Sequence, residues 1–125
     1  MKILVVDDEI IIRALLLDVL KSDGHEVYAV GNAKDALKLI KKYNYDIVFS
    51  DVHMPDMNGY ELLKQVKSSY PDIAVIMMDS YPEELSERCM QDGALYCVHK
   101  PFDISELRKV ISSIENKTKP DDVSQ

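Results

Sequence analysis

Carboxylates and one lysine recur at the same place in this 125-residue chain, directly after short apolar runs. Asp7, Asp8 and Glu9 follow Ile3-Leu4-Val5-Val6, and Asp51 follows Ile47-Val48-Phe49-Ser50. Asp79 and Ser80 follow Val75-Ile76-Met77-Met78, and Lys100-Pro101 follows the run at 95–98. Clustered carboxylates repel one another unless something cationic holds them. Hard oxygen ligands with no cysteine or histidine pair select Mg²⁺ or Mn²⁺ over Zn²⁺. Asp8, Asp51 and a nearby backbone carbonyl would make such a site, with Lys100 as a point charge for a phosphoryl oxygen. A carboxylate can also be the nucleophile and become an aspartyl phosphate. The chemistry expected is metal-assisted phosphoryl transfer to an aspartate.

These residues meet only if the chain brings the ends of its apolar runs to one rim. Five runs, at 3–6, 27–30, 47–49, 73–78 and 95–98, are short, rich in β-branched or aromatic residues and bounded by turn residues, so they read as strands. They alternate with helix-like segments near 9–21, 33–42, 60–68, 82–91 and 104–116. In the last of these, Ile104, Leu107, Val110, Ile111 and Ile114 form a single stripe. Asn32 suits a helix cap, Pro82 a first turn, and Asp103 with Glu106 a capping box. Strict alternation predicts an α/β fold, a doubly wound parallel sheet of (βα)₅ type. Runs one, three and four are almost wholly apolar, as doubly buried strands must be, whereas runs two and five are mixed. The order 2-1-3-4-5, flavodoxin-like, puts the mixed runs at the edges, and its ligands bind outside the carboxyl ends of the strands.

Composition narrows the function further. A chain of this size buries roughly two-thirds of its unfolded surface and folds without a disulfide or metal staple. With 15 basic and 22 acidic residues the formal charge is −7, which disfavours direct nucleic-acid binding and anionic membranes. No apolar stretch approaches the roughly 20 residues that span a bilayer, and the first residues form no signal peptide, so a cytoplasmic protein is expected. Cys89 and Cys97 have no metal-binding spacing and read as small buried hydrophobes.

Three segments carry a resemblance. Ile3 to Glu9, then Asp51-Val52-His53-Met54-Pro55-Asp56-Met57-Asn58-Gly59, then Gly93-Ala94 with Lys100-Pro101-Phe102, resemble the response-regulator receivers of two-component systems, of the single-domain chemotaxis or sporulation type. The likeness runs from residue 2 to about 115. It implies Asp51 as phosphoacceptor and Mg²⁺ on Asp8, Asp51 and the His53 main-chain carbonyl, with Asp7 acting through water. It also implies Lys100 at the phosphoryl group and a cis bond at Lys100–Pro101. The partners implied are a histidine kinase or histidine phosphotransferase and a downstream effector. Gly59 has a plainer reading as a turn residue before a helix.

Two positions depart from the family. Its members carry a threonine or serine at the end of strand four, where this chain has Asp79, with Ser80 next to it as substitute hydroxyl or helix cap. A carboxylate about 5 Å from a phosphoryl charge repels it by roughly 3 kcal/mol at an effective dielectric of about 20. Three residues before Lys100 the family places a tyrosine or phenylalanine switch, and this chain has Cys97, with Tyr96 on the opposite face of the strand. The first helix is also apolar almost all round, and Ile10 and Leu17 are expected on an exposed face that docks the phosphodonor's helices. The domain is expected to span 1–116, with 117–125 a polar tail or the start of a linker. One alternative is a pseudo-receiver, a binding module in which Asp79 weakens phosphorylation. A small phosphatase is disfavoured, because the position of its general acid is His53. No turnover of a metabolite is expected.

Overall fold

The structure is a computed structural model that describes residues 1–79 and 90–118. Five strands form one parallel sheet: β1 (Lys2–Val6), β2 (Glu26–Val30), β3 (Ile47–Asp51), β4 (Ala74–Asp79) and β5 (Tyr96–His99). Their order is β2-β1-β3-β4-β5, with the two mixed strands at the edges. The described helices are α1 (Ile10–Ser22), α2 (Ala33–Lys42), α3 (Gly59–Ser69) and α4 (Ile104–Thr118). The expected helix near 82–91, with Pro82 and Ser80, lies outside the described residues but for Met90 and Gln91. The tail at 119–125 lies outside them too, and α4 runs on to Thr118 rather than stopping at 116.

Alternation along the central strands builds two cores. Ile3, Val5, Ile47, Phe49, Ile76 and Met78 face α1 and α4, where they meet Leu16, Leu20, Leu107 and Ile111. Leu4, Val6, Val48, Val75 and Met77 face α2 and α3, against Ala36, Ile40, Leu63 and Val66. This period-two division of wholly apolar strands is what a sheet covered on both faces requires. The pairing Val6↔Ser50, Asp51↔Met78 and Asp79↔His99 levels the carboxyl ends of β1, β3, β4 and β5. Asp7, Asp51, Asp79 and Lys100 consequently arrive at one rim.

Local signals explain most boundaries. Asn32 Oδ1 accepts from Asp35 N (2.8 Å) at the start of α2. Asn58 Oδ1 caps α3 in the same way, from Glu61 N (3.0 Å). Asp103 caps α4 through Ser105 N (3.1 Å), one position earlier than a capping box would use. β4 begins at Ala74 and not Ile73, because Ile73 N donates to the Tyr70 carbonyl in a turn.

Helix α1 corrects one expectation. Ile10 and Ile11 are 72% and 80% exposed, and Leu15 is 39% exposed. Leu17, expected on that open face, is half-buried and packs with Ile12 against the α1/α4 core. The stripe centred on Leu16 and Leu20 is wide enough to draw Leu17 in. Among the described residues no helix is long and apolar enough to cross a membrane.

Candidate functional site

Lys100 sits at the centre of the rim. Its Nζ lies 2.7 Å from Asp7 Oδ2, 3.2 Å from Glu9 Oε1 and 3.3 Å from Asp51 Oδ1. The end of β5 holds it there, with Lys100 N donating to the Asp79 carbonyl (2.8 Å), and the Lys100–Pro101 bond is cis. Burial alone would depress the Lys100 ammonium. The hydrogen bond and charge of Asp7, then Asp51 and Glu9, outweigh burial and hold it above the ordinary lysine value. Asp7, given a water-mediated role by the resemblance, is fully buried, and its Oδ1 also accepts from Glu9 N (2.8 Å). Arg13 reaches back from α1 to the Asp7 carbonyl (2.7 Å).

Asp7, Asp8, Glu9 and Asp51 each bring a carboxylate oxygen into a cluster in which all lie within 4.8 Å of one another. Asp8 and Glu9 are exposed and Asp7 and Asp51 buried, so the cluster has an open side. The Asp51 carboxyl is pushed up to about 6, first by burial and then by the Asp7 charge, and Lys100 offsets only part of this. An acid cluster whose buried member is raised in this way has room, electrostatically, for a cation.

Asp79 ends β4 and is fully buried, with Oδ1 3.5 Å from His53 Nε2. His53, expected to act through its main-chain carbonyl, thus also presents its ring to the residue that stands in place of the usual hydroxyl. Ser80 lies outside the described residues. Cys97 packs toward the α2/α3 core, and its thiol is pushed up to about 11 by burial and then by the charge of Asp79. Tyr96 points the other way, with its hydroxyl 3.2 Å from Ser113 Oγ, as adjacent strand residues must. Phe102 packs against the α1/α4 core, and Pro101 is exposed.

Sequence reasoning missed three partners and misread a fourth residue. Glu9 was counted on the rim but given no role, and it shares Lys100. The Asp79 contact of the His53 ring has no sequence signal, being made from the loop after β3 to the end of β4. Asp56, in the loop that follows β3, accepts from Lys34 N (3.1 Å) and Ala33 N (3.3 Å) at the start of α2. Gly59 is not a turn glycine, since its φ is not positive. A Cβ there would collide with the Asp51 carbonyl oxygen and stand 2.7 Å from Met77 Cε and 2.8 Å from Val52 Cα. The residue is glycine because α3 begins hard against the strand that carries Asp51.

Comparison with known proteins accounts for this arrangement. The family described as response regulator receiver domain matches residues 3–112. Sporulation initiation phosphotransferase F of Bacillus subtilis is 38% identical over 111 residues, which cover 88% of this chain and 90% of that protein. The DNA-binding transcriptional regulator NtrC of Azospirillum brasilense is 34% identical over 94% of this chain, but only 25% of its own length is covered. Among solved structures, response regulator protein TrrA of Thermotoga maritima, in complex with Mg²⁺ and BeF, superposes with a TM-score of 0.83. It is 33% identical, and the likeness covers 90% of this chain and 97% of that one. With the five-stranded order, the levelled acidic rim and the buried lysine already in place, this chain belongs to the response regulator receiver domain family and is a receiver of two-component signalling.

Proposed function

We propose that Asp51 is the phosphoacceptor, that Lys100 steadies the phosphoryl group, and that Mg²⁺ is held by Asp8, Asp51 and the His53 main-chain carbonyl. The observation carrying this reading is the single ammonium, Lys100 Nζ, that touches Asp51 while neutralising Asp7 and Glu9. With its carboxyl near 6, Asp51 is mostly ionised at neutral pH and so nucleophilic. One of its oxygens attacks phosphorus as the P–N bond of a phosphohistidine breaks. The electron pair leaves with the imidazole, which takes a proton from solvent. Water later attacks the same phosphorus, releasing inorganic phosphate and restoring the carboxylate. Lys100 lies beside the oxygens that gain charge in both steps.

The donor set fits Mg²⁺: hard oxygens only, an open side for waters, and an acid raised first by burial and then by the Asp7 charge. When bound there, Mg²⁺ supplies neutralisation of phosphoryl oxygens. The donor is a histidine kinase or histidine phosphotransferase, whose helices would lie on Ile10, Ile11 and Leu15 beside the rim. A downstream effector reads the product. No observation favours the pseudo-receiver, since Asp7, Asp8, Glu9, Asp51 and Lys100 converge on one rim.

Acetyl phosphate with Mg²⁺ should add one phosphoryl group, seen as an acid-stable, base-labile mass increase. Asp51→Asn should abolish it while circular dichroism shows the fold retained. Label persisting on a serine or histidine would remove Asp51 from the role.

A further inference from the structure

One groove lies outside the phosphorylation site and outside the apolar face of α1. It runs between α2 and the loop 52–58, with a volume of about 430 Å³, and is lined by Lys34, Leu37, Lys38, Lys41, Asp56 and Met57. Leu37 and Met57 form its apolar floor, both partly buried against the α2/α3 core. Lys34, Lys38 and Lys41 form its rim, all exposed. Their spacing puts three ammonium groups on one side of the helix over about 10 Å of its length, at about 1.5 Å per residue. None of the three pairs with a carboxylate among the described residues. The one acid in the groove, Asp56, is occupied by the first backbone N–H groups of α2. The slight burial of its carboxyl, which alone would raise it, is outweighed by those bonds, which hold it below the usual carboxylate range.

A stripe of unpaired lysines is unusual on a chain of net charge −7. What a plain amphipathic face does not explain is that Leu37 and Met57 stay partly open beneath the three lysines, and an acidic chain gains nothing for nucleic-acid binding from three lysines alone.

We propose that this groove docks an acidic amphipathic helix of a partner protein, with apolar side chains on Leu37 and Met57 and carboxylates at helical spacing opposite Lys34, Lys38 and Lys41. Recognition is of the helix-in-groove kind, with the rim charges setting register and approach and the floor supplying contact area. The groove is walled by the acceptor loop yet uses none of the residues assigned to phosphoryl chemistry, so docking stands independently of that reading.

The test uses the full unphosphorylated chain and a fluorescent synthetic helical peptide bearing Glu at i, i+4 and i+7 beside Leu. A scrambled peptide of identical composition is the control. Binding should saturate, weaken with added salt and exceed that of the scrambled peptide. The double variant Lys38→Glu, Lys41→Glu should weaken it about tenfold, as expected for two reversed rim charges. Lys64→Glu, an exposed lysine of α3 away from the groove, should leave it unchanged. Absence of binding, equal binding of the scrambled peptide, or equal loss with Lys64→Glu would overturn the proposal. So would displacement of the peptide by inorganic phosphate or a single-stranded oligonucleotide through the same lysines, which would make the stripe a general anion site.

Discussion

Asp51→Asn replaces a buried carboxylate by a neutral amide of almost the same shape, and at neutral pH the metal-free domain should gain stability from the exchange. In the folded state the Asp51 carboxyl is pushed up to about 6 from an ordinary value of 3.8. At about 1.4 kcal/mol per unit of pKa, the charged form costs the fold at most about 3 kcal/mol. The variant leaves no stranded cation, because Lys100 keeps Asp7 at 2.7 Å and Glu9 at 3.2 Å. The value of about 6 already includes the attraction between Lys100 and Asp51, so a gain of about 2 to 3 kcal/mol is expected, or at least about 1 M in a urea midpoint. The pH dependence fixes the cause. Below about pH 4 folded and unfolded chains both hold the proton, and the wild type bears no penalty. As pH rises toward about 6, the unfolded chain releases a proton that the fold retains, and wild-type stability falls relative to the variant. Above that the difference is constant. Urea titrations in EDTA, followed by circular dichroism across this range, measure it, and millimolar Mg²⁺ should narrow it by binding the wild type. A gap absent at neutral pH, or one that does not change with pH, would refute burial and Asp7 as its origin.

Three further outcomes follow from the site. Asp79→Thr removes a buried charge and supplies a hydroxyl, so the phosphorylated fraction at fixed acetyl phosphate should rise about tenfold and Mg²⁺ affinity should fall; Ser80→Ala, measured alongside, reports whether Ser80 supplies the hydroxyl instead. Ile10→Lys should slow transfer from a phosphohistidine protein, leave phosphorylation by acetyl phosphate unchanged and shift stability by less than about 0.5 kcal/mol, while Leu17→Lys should cost more than about 1 kcal/mol because that side chain is half-buried. Asp8→Ala should weaken Mg²⁺ binding in calorimetry by far more than Asp35→Ala, an exposed acid away from the rim; equal losses would mean diffuse attraction rather than a site.

The sheet was legible because burial on two faces leaves a direct mark on sequence. Continuous apolar runs belong at the centre and mixed ones at the edge, which gives the order of the strands. The rim was legible for the same reason, since levelled parallel strands deliver the residues that follow them to one place. Side chains set by angle or by neighbouring loops were not. Leu17 lies one residue from a buried position, and only the pitch of α1 on the sheet decides its burial. Gly59 has the sequence context of a turn but answers to a backbone carbonyl brought close by packing. Lys2 Nζ lies 5.0 to 5.9 Å from the ring centres of Tyr28, Tyr43 and Tyr45, a cluster drawn from β1, β2 and the α2–β3 connection that no local pattern announces. Glu9 is placed on the rim by the sequence but finds its partner only when the fold supplies Lys100, and Asp56 reads as an ordinary surface acid until the start of α2 comes beside it.

The acidic rim has a consequence for fidelity. Four carboxylates answered by one ammonium within the described cluster leave an excess of negative charge around the acceptor. A small anionic donor diffusing in from the metabolite pool meets that field unaided over a Debye length of about 8 Å. A donor protein docked on Ile10 and Ile11, as proposed, would arrive with its contact energy already gained and its phosphoryl group oriented. On the proposed reading, the charges that gather a cation would also insulate the signal, holding down phosphorylation by small donors relative to phosphorylation by a docked partner.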